Sequence, residues 1–137
     1  MALGDSSPTN YLYVGCANAL INGSSFARPA YIALTTDDMS AWTAATTGPV
    51  TESTGNGLVR SQATLSSTTV TVSGDTCKST YVFTSSTSGS ITGHICASSS
   101  SKIGGEMTSF YCYPATVNIE SGDSVAATIN HQFKAGI

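Results

Sequence analysis

The chain has 137 residues, a formal net charge of −3 and only 9% charged residues, one ordinary domain's worth of sequence with far fewer ionisable groups than the roughly one quarter usual in soluble proteins. Its five cations, Arg28, Arg60, Lys78, Lys102 and Lys134, are scattered, and no apolar run approaches the ~18 residues of a membrane helix, so neither nucleic acid nor a membrane is an expected partner. Roughly 40 Ser and Thr residues replace the missing charges, and regularly spaced Val, Ile, Tyr and Phe among them argue for a compact β domain rather than disorder.

The opening residues Met1 to Pro8, MALGDSSP, have neither the basic nor the apolar region of a secretory signal, so cytoplasmic synthesis is expected. Residues 1–10 read as an N-terminal arm and 11–137 as a single domain. Thr9 to Asn22 carries mixed signals. Pro8 near a helix start, Gly23 just past an end, and Leu12, Cys16, Ala19 and Leu20 at helical spacing favour a short helix, while Tyr11, Tyr13 and Val14 favour strand. Tyr31 to Thr35 reads as a strand. Asp37-Asp38, Gly48-Pro49 and Gly55 break any period from Thr36 to Gly55, which predicts a long surface loop with Trp42 folded back as an anchor. Gly57 to Leu65 reads as one longer strand.

Val70 and Val72, the turn Ser73-Gly74-Asp75, and Tyr81 with Phe83 predict a hairpin. Ile91 and Ile95 alternate with Thr92, His94 and Cys96, and Ser98 to Gly105 connects them to a short run at Phe110 to Tyr113. Val117 and Ile119, the turn Ser121-Gly122-Asp123, and the alternation Val125, Ala127, Ile129, His131, Phe133 predict a second hairpin. Seven or eight short strands, spaced about 8–12 residues apart with no βαβ pattern, predict an all-β antiparallel sandwich or jelly-roll-like barrel. So few charges leave little to guard its edge strands, which points to association with other copies.

Catalytic chemistry has little to draw on. The two histidines are His94 and His131, and no G-x-S-x-G elbow marks a nucleophile among the many serines. His131 falls on the apolar face of the last strand, where a structural role is expected. His94 and Cys96 form an H-x-C pair without the paired spacing of a zinc site, and Asp37, Asp38 and Glu52 lack the spaced calcium-loop pattern. No P-loop or dinucleotide fingerprint occurs, so no metal, cofactor or catalytic residue is expected.

Cys16, Cys77, Cys96 and Cys112 allow three complete pairings. A bulged hairpin turning near Gly104 would set Cys96 opposite Cys112, whereas pairing Cys77 with Cys96 in the preceding hairpin would place Lys78 opposite Ile95. The alternative is four reduced thiols, as in a protein made in the cytoplasm.

Four segments in order resemble a group of small tailed-bacteriophage virion proteins, catalogued as tail fibre or head-associated structural proteins. Tyr31 to Asp37 resembles their YVALSTTD, Thr51 to Arg60 their TEPSGGGYAR, Gly104 to Met107 their GGTML, and Val117 to Ser124 their V..GDSL. The chain differs in having Leu58 where an aromatic is usual, Ser53 where proline is usual, and four cysteines. The resemblance implies a β-rich, non-enzymatic virion subunit. With no coiled-coil shaft in the sequence, the expectation is a capsid decoration (cement) protein whose partners are other copies of itself, as a trimer, and a major capsid or tail protein. A tail or tail-fibre component binding a host receptor or glycan is the alternative, with Trp42, Tyr11, Tyr13, Tyr111 and Tyr113 as candidate contacts against a plain packing role. A small hydrolase is the remaining alternative.

Overall fold

The computed structural model describes residues 7–23, 28–49, 51–69, 76–101 and 107–132. Two antiparallel sheets face one another as a sandwich. The first contains β1 (Ser7–Pro8), β7 (Met107–Ile119), β6 (Gly89–Ala97), β2 (Tyr31–Thr35) and β3 (Ser61–Gln62) in that spatial order; the second contains β4 (Thr64–Thr68), β5 (Thr76–Thr84) and β8 (Ser124–Gln132). One helix, α1 (Asn10–Asn22), follows β1.

Alternation along the strands builds the core between the sheets. Ile32 and Leu34 of β2, Phe83 of β5, Ile91 and Cys96 of β6, Ile119 of β7, and Ala127 and Ile129 of β8 meet there, each large side chain contributing about 1.5–3 kcal/mol by leaving water. The opposite face of the five-stranded sheet is covered as well. Ala33, Ile95, Ala97, Met107 and Phe110 form a second cluster under Met39 and Trp42 of the 36–49 loop, while α1 lies against β7. Covered on both faces, Gly93 to Ala97 of β6 and Met107 to Tyr111 of β7 are buried without a break, polar His94, Thr108 and Ser109 included.

Three sequence expectations change form. The run Gly57 to Leu65 is not one strand: it holds β3 and the start of β4, which lie in different sheets, with Ala63 at the crossing donating its amide to the Ala30 carbonyl at 2.7 Å. The run at Phe110 to Tyr113 and the run at Val117 and Ile119 are one strand, β7, continuing through Pro114. The predicted hairpin between Val117 and Phe133 is a corner between sheets, because β7 pairs with β6 and β8 pairs with β5. The turn chemistry itself is present there: Gly122 adopts φ 93° and Asp123 accepts from the Glu120 amide at 2.8 Å, a left-handed position suited to glycine. β4 pairs with β5, with Thr68 opposite Thr76, and the expected strand positions Val70 and Val72 and the expected turn Ser73-Gly74-Asp75 lie outside the described residues.

Irregularities in the β6–β7 ladder decide which face each side chain takes. Ile91 faces Val117 and Gly93 faces Cys112, so Thr92 stands against residues 113–116 of a bulged β7. Gly93 sits in that bulge because a Cβ there would collide with the Met39 sulfur and the Tyr111 carbonyl oxygen. The bulge also leaves Ile91 on the inner face and Ile95 on the outer one, although the two lie four residues apart in one strand.

Candidate functional site

Helix α1 is built from the signals expected of it. Pro8 and Thr9 precede it, and Gly23 ends it in the left-handed conformation at φ 62°. Thr9 does not cap the helix with its side chain. Its hydroxyl instead donates to the carbonyls of Met107 and Thr108, and its amide donates to the Thr108 carbonyl at 3.0 Å, stitching the helix start to β7. Tyr11 hydrogen-bonds Ser98 at 3.1 Å.

No side chain of α1 is fully buried. Tyr11, Leu12, Gly15, Cys16 and Ala19 are half-buried, whereas Tyr13 is 58% exposed, Val14 58%, Leu20 88% and Ile21 79%. Both faces are apolar, and the sequence NYLYVGCANALIN carries no charge anywhere. Asn10, Asn18 and Asn22 are its exposed polar residues, and large apolar side chains nonetheless meet water beside them. Sequence reasoning points to Tyr11 and Tyr13 and misses Val14, Leu20 and Ile21. Their signal is a second stripe at helical spacing, in a segment without a single ionisable residue.

The other candidate residues are held inside the fold. Trp42 packs edge-on against Phe110, with ring centroids 5.4 Å apart. Tyr111 is buried, and half-buried Tyr113 shares a 2.9 Å hydrogen bond with Nδ1 of His94. The rings of His94, Tyr111 and Tyr113 contact one another beside a groove of about 560 Å3 that runs between the β7 bulge, at Pro114 to Val117, and Ala126 and Thr128 of β8. Burial lowers the His94 pKa to about 4 against a smaller opposing effect from the Thr128 backbone, and burial pushes Tyr113 upward, with Tyr111 adding to it. The ring of His94 is therefore neutral at pH 7.

His131 is likewise buried and neutral, its pKa lowered by burial to about 4. Its Nε2 bonds Ser109 Oγ at 2.8 Å, tying β8 to β7 across the sandwich. Ser109 has no exposed surface, and Nδ1 of His131 has no hydrogen-bond partner among the described residues. The pair thus lacks both access for a substrate and the group that would orient the imidazole.

The cysteines are not joined. Cys96 faces Ser109 and Cys112 faces Gly93, and the two thiols belong to clusters on opposite faces of the sheet. The sequence expectation of a Cys96–Cys112 bridge fails because the bulges shift the ladder. Pairing Cys77 with Cys96 requires a hairpin that does not form, since β5 pairs with β4 and β8, not with β6. All four cysteines are free. Cys96 donates to the Pro29 carbonyl at 3.3 Å, and burial raises its pKa to about 12. Four thiols are expected to react with a chromogenic disulfide reagent in guanidinium chloride, with Cys96 silent in the native protein; fewer than four in denaturant under non-reducing conditions would contradict this.

Among the acids, Glu52 is not available to Asp37 and Asp38. It holds Arg60 in a two-pronged ion pair, Nε to Oε1 at 2.9 Å and Nη2 to Oε2 at 2.7 Å, with side chains 4% and 5% exposed. Nη1 of Arg60 also donates to the carbonyls of Ser99 and Ser101. Asp37 accepts from the Thr51 amide and Asp38 from that of Ser40. No group of three or more His, Cys, Asp or Glu side chains placed to hold a metal ion occurs among the described residues.

No family model matches the chain, and no curated protein matches it.

Proposed function

We propose that this chain is a structural subunit of a bacteriophage virion, acting as a capsid decoration protein that strengthens the shell through the surfaces it covers. The observation that carries this reading is α1. A finished sandwich bears, on one side, an uncharged helix with Tyr13, Val14, Leu20 and Ile21 in solvent. Leaving such a face wet is unfavourable by about 25 cal/mol per Å2, and covering it contributes the same amount to association. The resemblance to tailed-phage virion proteins supplies the setting. Its Thr51 to Arg60 segment keeps the acid and the arginine of the resembled TEPSGGGYAR, and in this chain those two residues are the buried Glu52–Arg60 pair. The partners are further copies of the chain and a major capsid protein, and the working location is the virion after synthesis in the host cytoplasm.

A tail or tail-fibre part that binds a host receptor or glycan is the second reading. The groove beside Tyr111 and Tyr113 favours it, since aromatic rings next to an open cleft suit the flat faces of sugars. Among the described residues the one serine–histidine hydrogen bond given to the hydrolase reading is Ser109–His131, and both lie in the interior. Copy number separates the first two readings. Quantitative gel analysis of purified particles is expected to give hundreds of copies of this chain per virion. A handful of copies would make it a tail part, and none would end the virion reading.

A further inference from the structure

We propose that the groove between β7 and β8 is a peptide-binding site, in which an uncharged, extended segment of a partner protein pairs with the outer edge of β8 as a fourth strand of the smaller sheet. The proposal stands apart from the virion reading, and it gives the groove a different occupant from the sugar of the second one.

Unequal layers are the first reason. Five strands face three, and β8 is the last of the three, with β5 as its one ladder partner among the described residues. In the other layer β1 accompanies β7 at Ser109 and Phe110 alone. Beyond them Tyr113 is half-buried and Pro114 to Val117 are exposed, so the larger sheet is left uncovered where the groove lies. A strand about 4.8 Å from β8 and about 10 Å from β7 would fill that place and widen the smaller layer.

The second is the character of the edge. The outer strands β1 and β3 have two residues each and β4 has five, whereas β8 has nine, in unbroken register with β5 and without Lys, Arg, Asp, Glu or Pro. Short length, charge, Pro and bulges keep a sheet edge from recruiting another chain, and β7 has two of these devices in Pro114 and its bulge. β8 has none. The groove meets it at Ala126, Thr128 and Asn130, every second residue, the spacing at which one side of a strand presents its backbone to a neighbour. Thr128 brings its backbone close enough to His94 to affect that ring. Five positions at about 3.3 Å each give a footprint of about 13 Å, which suits a peptide backbone because its residues advance in the same steps.

The third is the lining. Neither β7 nor β8 carries a charged side chain, and the walls are Pro114 to Val117 on one side and Ala126 and Thr128 on the other. An ionised segment would lose its water there and meet no counter-charge, which selects an uncharged one. At the floor, Nε2 of His94 has no hydrogen-bond partner among the described residues; a serine or threonine hydroxyl on the incoming strand can serve it in either tautomer. A groove of about 560 Å3 walled on both sides admits one such segment and not the edge of a second folded sandwich.

The test titrates the full chain into a dye-labelled, C-terminally amidated pentapeptide of alternating threonine and valine and follows fluorescence anisotropy. Saturable binding is expected below about 1 mM. Thr128→Pro removes one main-chain donor, and Ala126→Lys adds a guarding charge while leaving the backbone whole. Each is expected to weaken binding on the order of 10-fold, with unchanged circular dichroism. N-methylation of the peptide at one alternate set of residues is expected to abolish binding and at the other set to spare it, a distinction that side-chain contacts alone would not make. Leu20→Asp, on the exposed face of α1, is the control and is expected to leave the affinity unaltered. No saturation at about 1 mM, or binding indifferent to both β8 substitutions and to either methylation, would overturn the proposal. So would an uncharged oligosaccharide that displaces the peptide at lower concentration, which returns the groove to the sugar reading, or a dimer of the free chain that Ala126→Lys dissolves, which gives the edge to a second copy. The number of copies per virion decides none of these outcomes.

Discussion

Arg60→Ala is expected to destabilise the fold by about 3–5 kcal/mol in urea denaturation. Among the described residues, the guanidinium is the one cation paired with the Glu52 carboxylate, and both side chains are almost wholly removed from water. Deleting it leaves a buried carboxylate without its counter-charge and frees the Ser99 and Ser101 carbonyls that Nη1 now holds. The loss is a desolvation effect, not the worth of one ion pair. Glu52→Met combined with Arg60→Leu, which removes both charges and keeps volume, is therefore expected to cost far less than Arg60→Ala alone. The pair also has an architectural position: Glu52 bridges to Thr35 at the end of β2, and Arg60 immediately precedes β3. A single-mutant loss under about 1 kcal/mol would show that water reaches the carboxylate and that the pair behaves as a surface contact.

The second large effect is acid sensitivity above the range in which carboxylates titrate. Both histidines have folded-state pKa values lowered from 6.5 to about 4 by burial. The unfolded chain binds protons near pH 6.5 that the folded chain refuses, so stability is complete above about pH 6.5 and falls as the pH drops toward 4, by about 3 kcal/mol for each histidine. The facing titratable groups are Tyr111 and Tyr113 for His94; Cys77, its ladder partner, lies beside His131. Burial pushes Tyr113 and Cys77 upward, so neither supplies negative charge in that window to offset the penalty. Denaturant midpoints measured from pH 7.5 to 4.5 are expected to fall steeply, and His94→Gln or His131→Gln to flatten the slope by about half each. A midpoint independent of pH across that window would mean that both imidazoles protonate without leaving their places.

How much of the molecule is legible in its sequence depends on whether local pattern or distant partners decide each feature. The β8 alternation, the YIALT strand and the Pro8 to Gly23 frame of α1 are local, and all three appear where the sequence puts them. The number of strands agrees only because differences offset: Gly57 to Leu65 divides between two strands while Phe110 to Ile119 is one. Pairing is not legible, because Ser121-Gly122-Asp123 makes the same tight turn whether the chain continues in its own ladder or crosses to the facing sheet, and the partners of β7 and β8 are chosen by the sandwich. The cysteine register fails at the bulge around Gly93, where any side chain would meet Met39, a residue far away along the chain. The site is half legible. Tyr13 is visible as a candidate, but the outer stripe of α1 emerges only once β7 is seen to claim the opposite arc.

The corner at Ser121 to Asp123 has a mechanical consequence. Beside it the chain makes another passage between layers, from β5 to β6, and the two passages grip each other: the Ser85 amide donates to the Asp123 carbonyl at 2.9 Å and the Gly122 amide to the Ser85 carbonyl at 2.8 Å. That end of the domain is a hinge made of backbone. At the far end the connections β4–β5 and β6–β7 each stay within one leaf, but the chain crosses between leaves at Ala63, bonded to Ala30, and side-chain bonds such as Ser109 to His131 add to that tie. The two layers are therefore tied through the main chain at both ends, at the Ser85–Asp123 corner and at Ala63, and a pull from a neighbouring molecule on one layer passes to the other through backbone at either place.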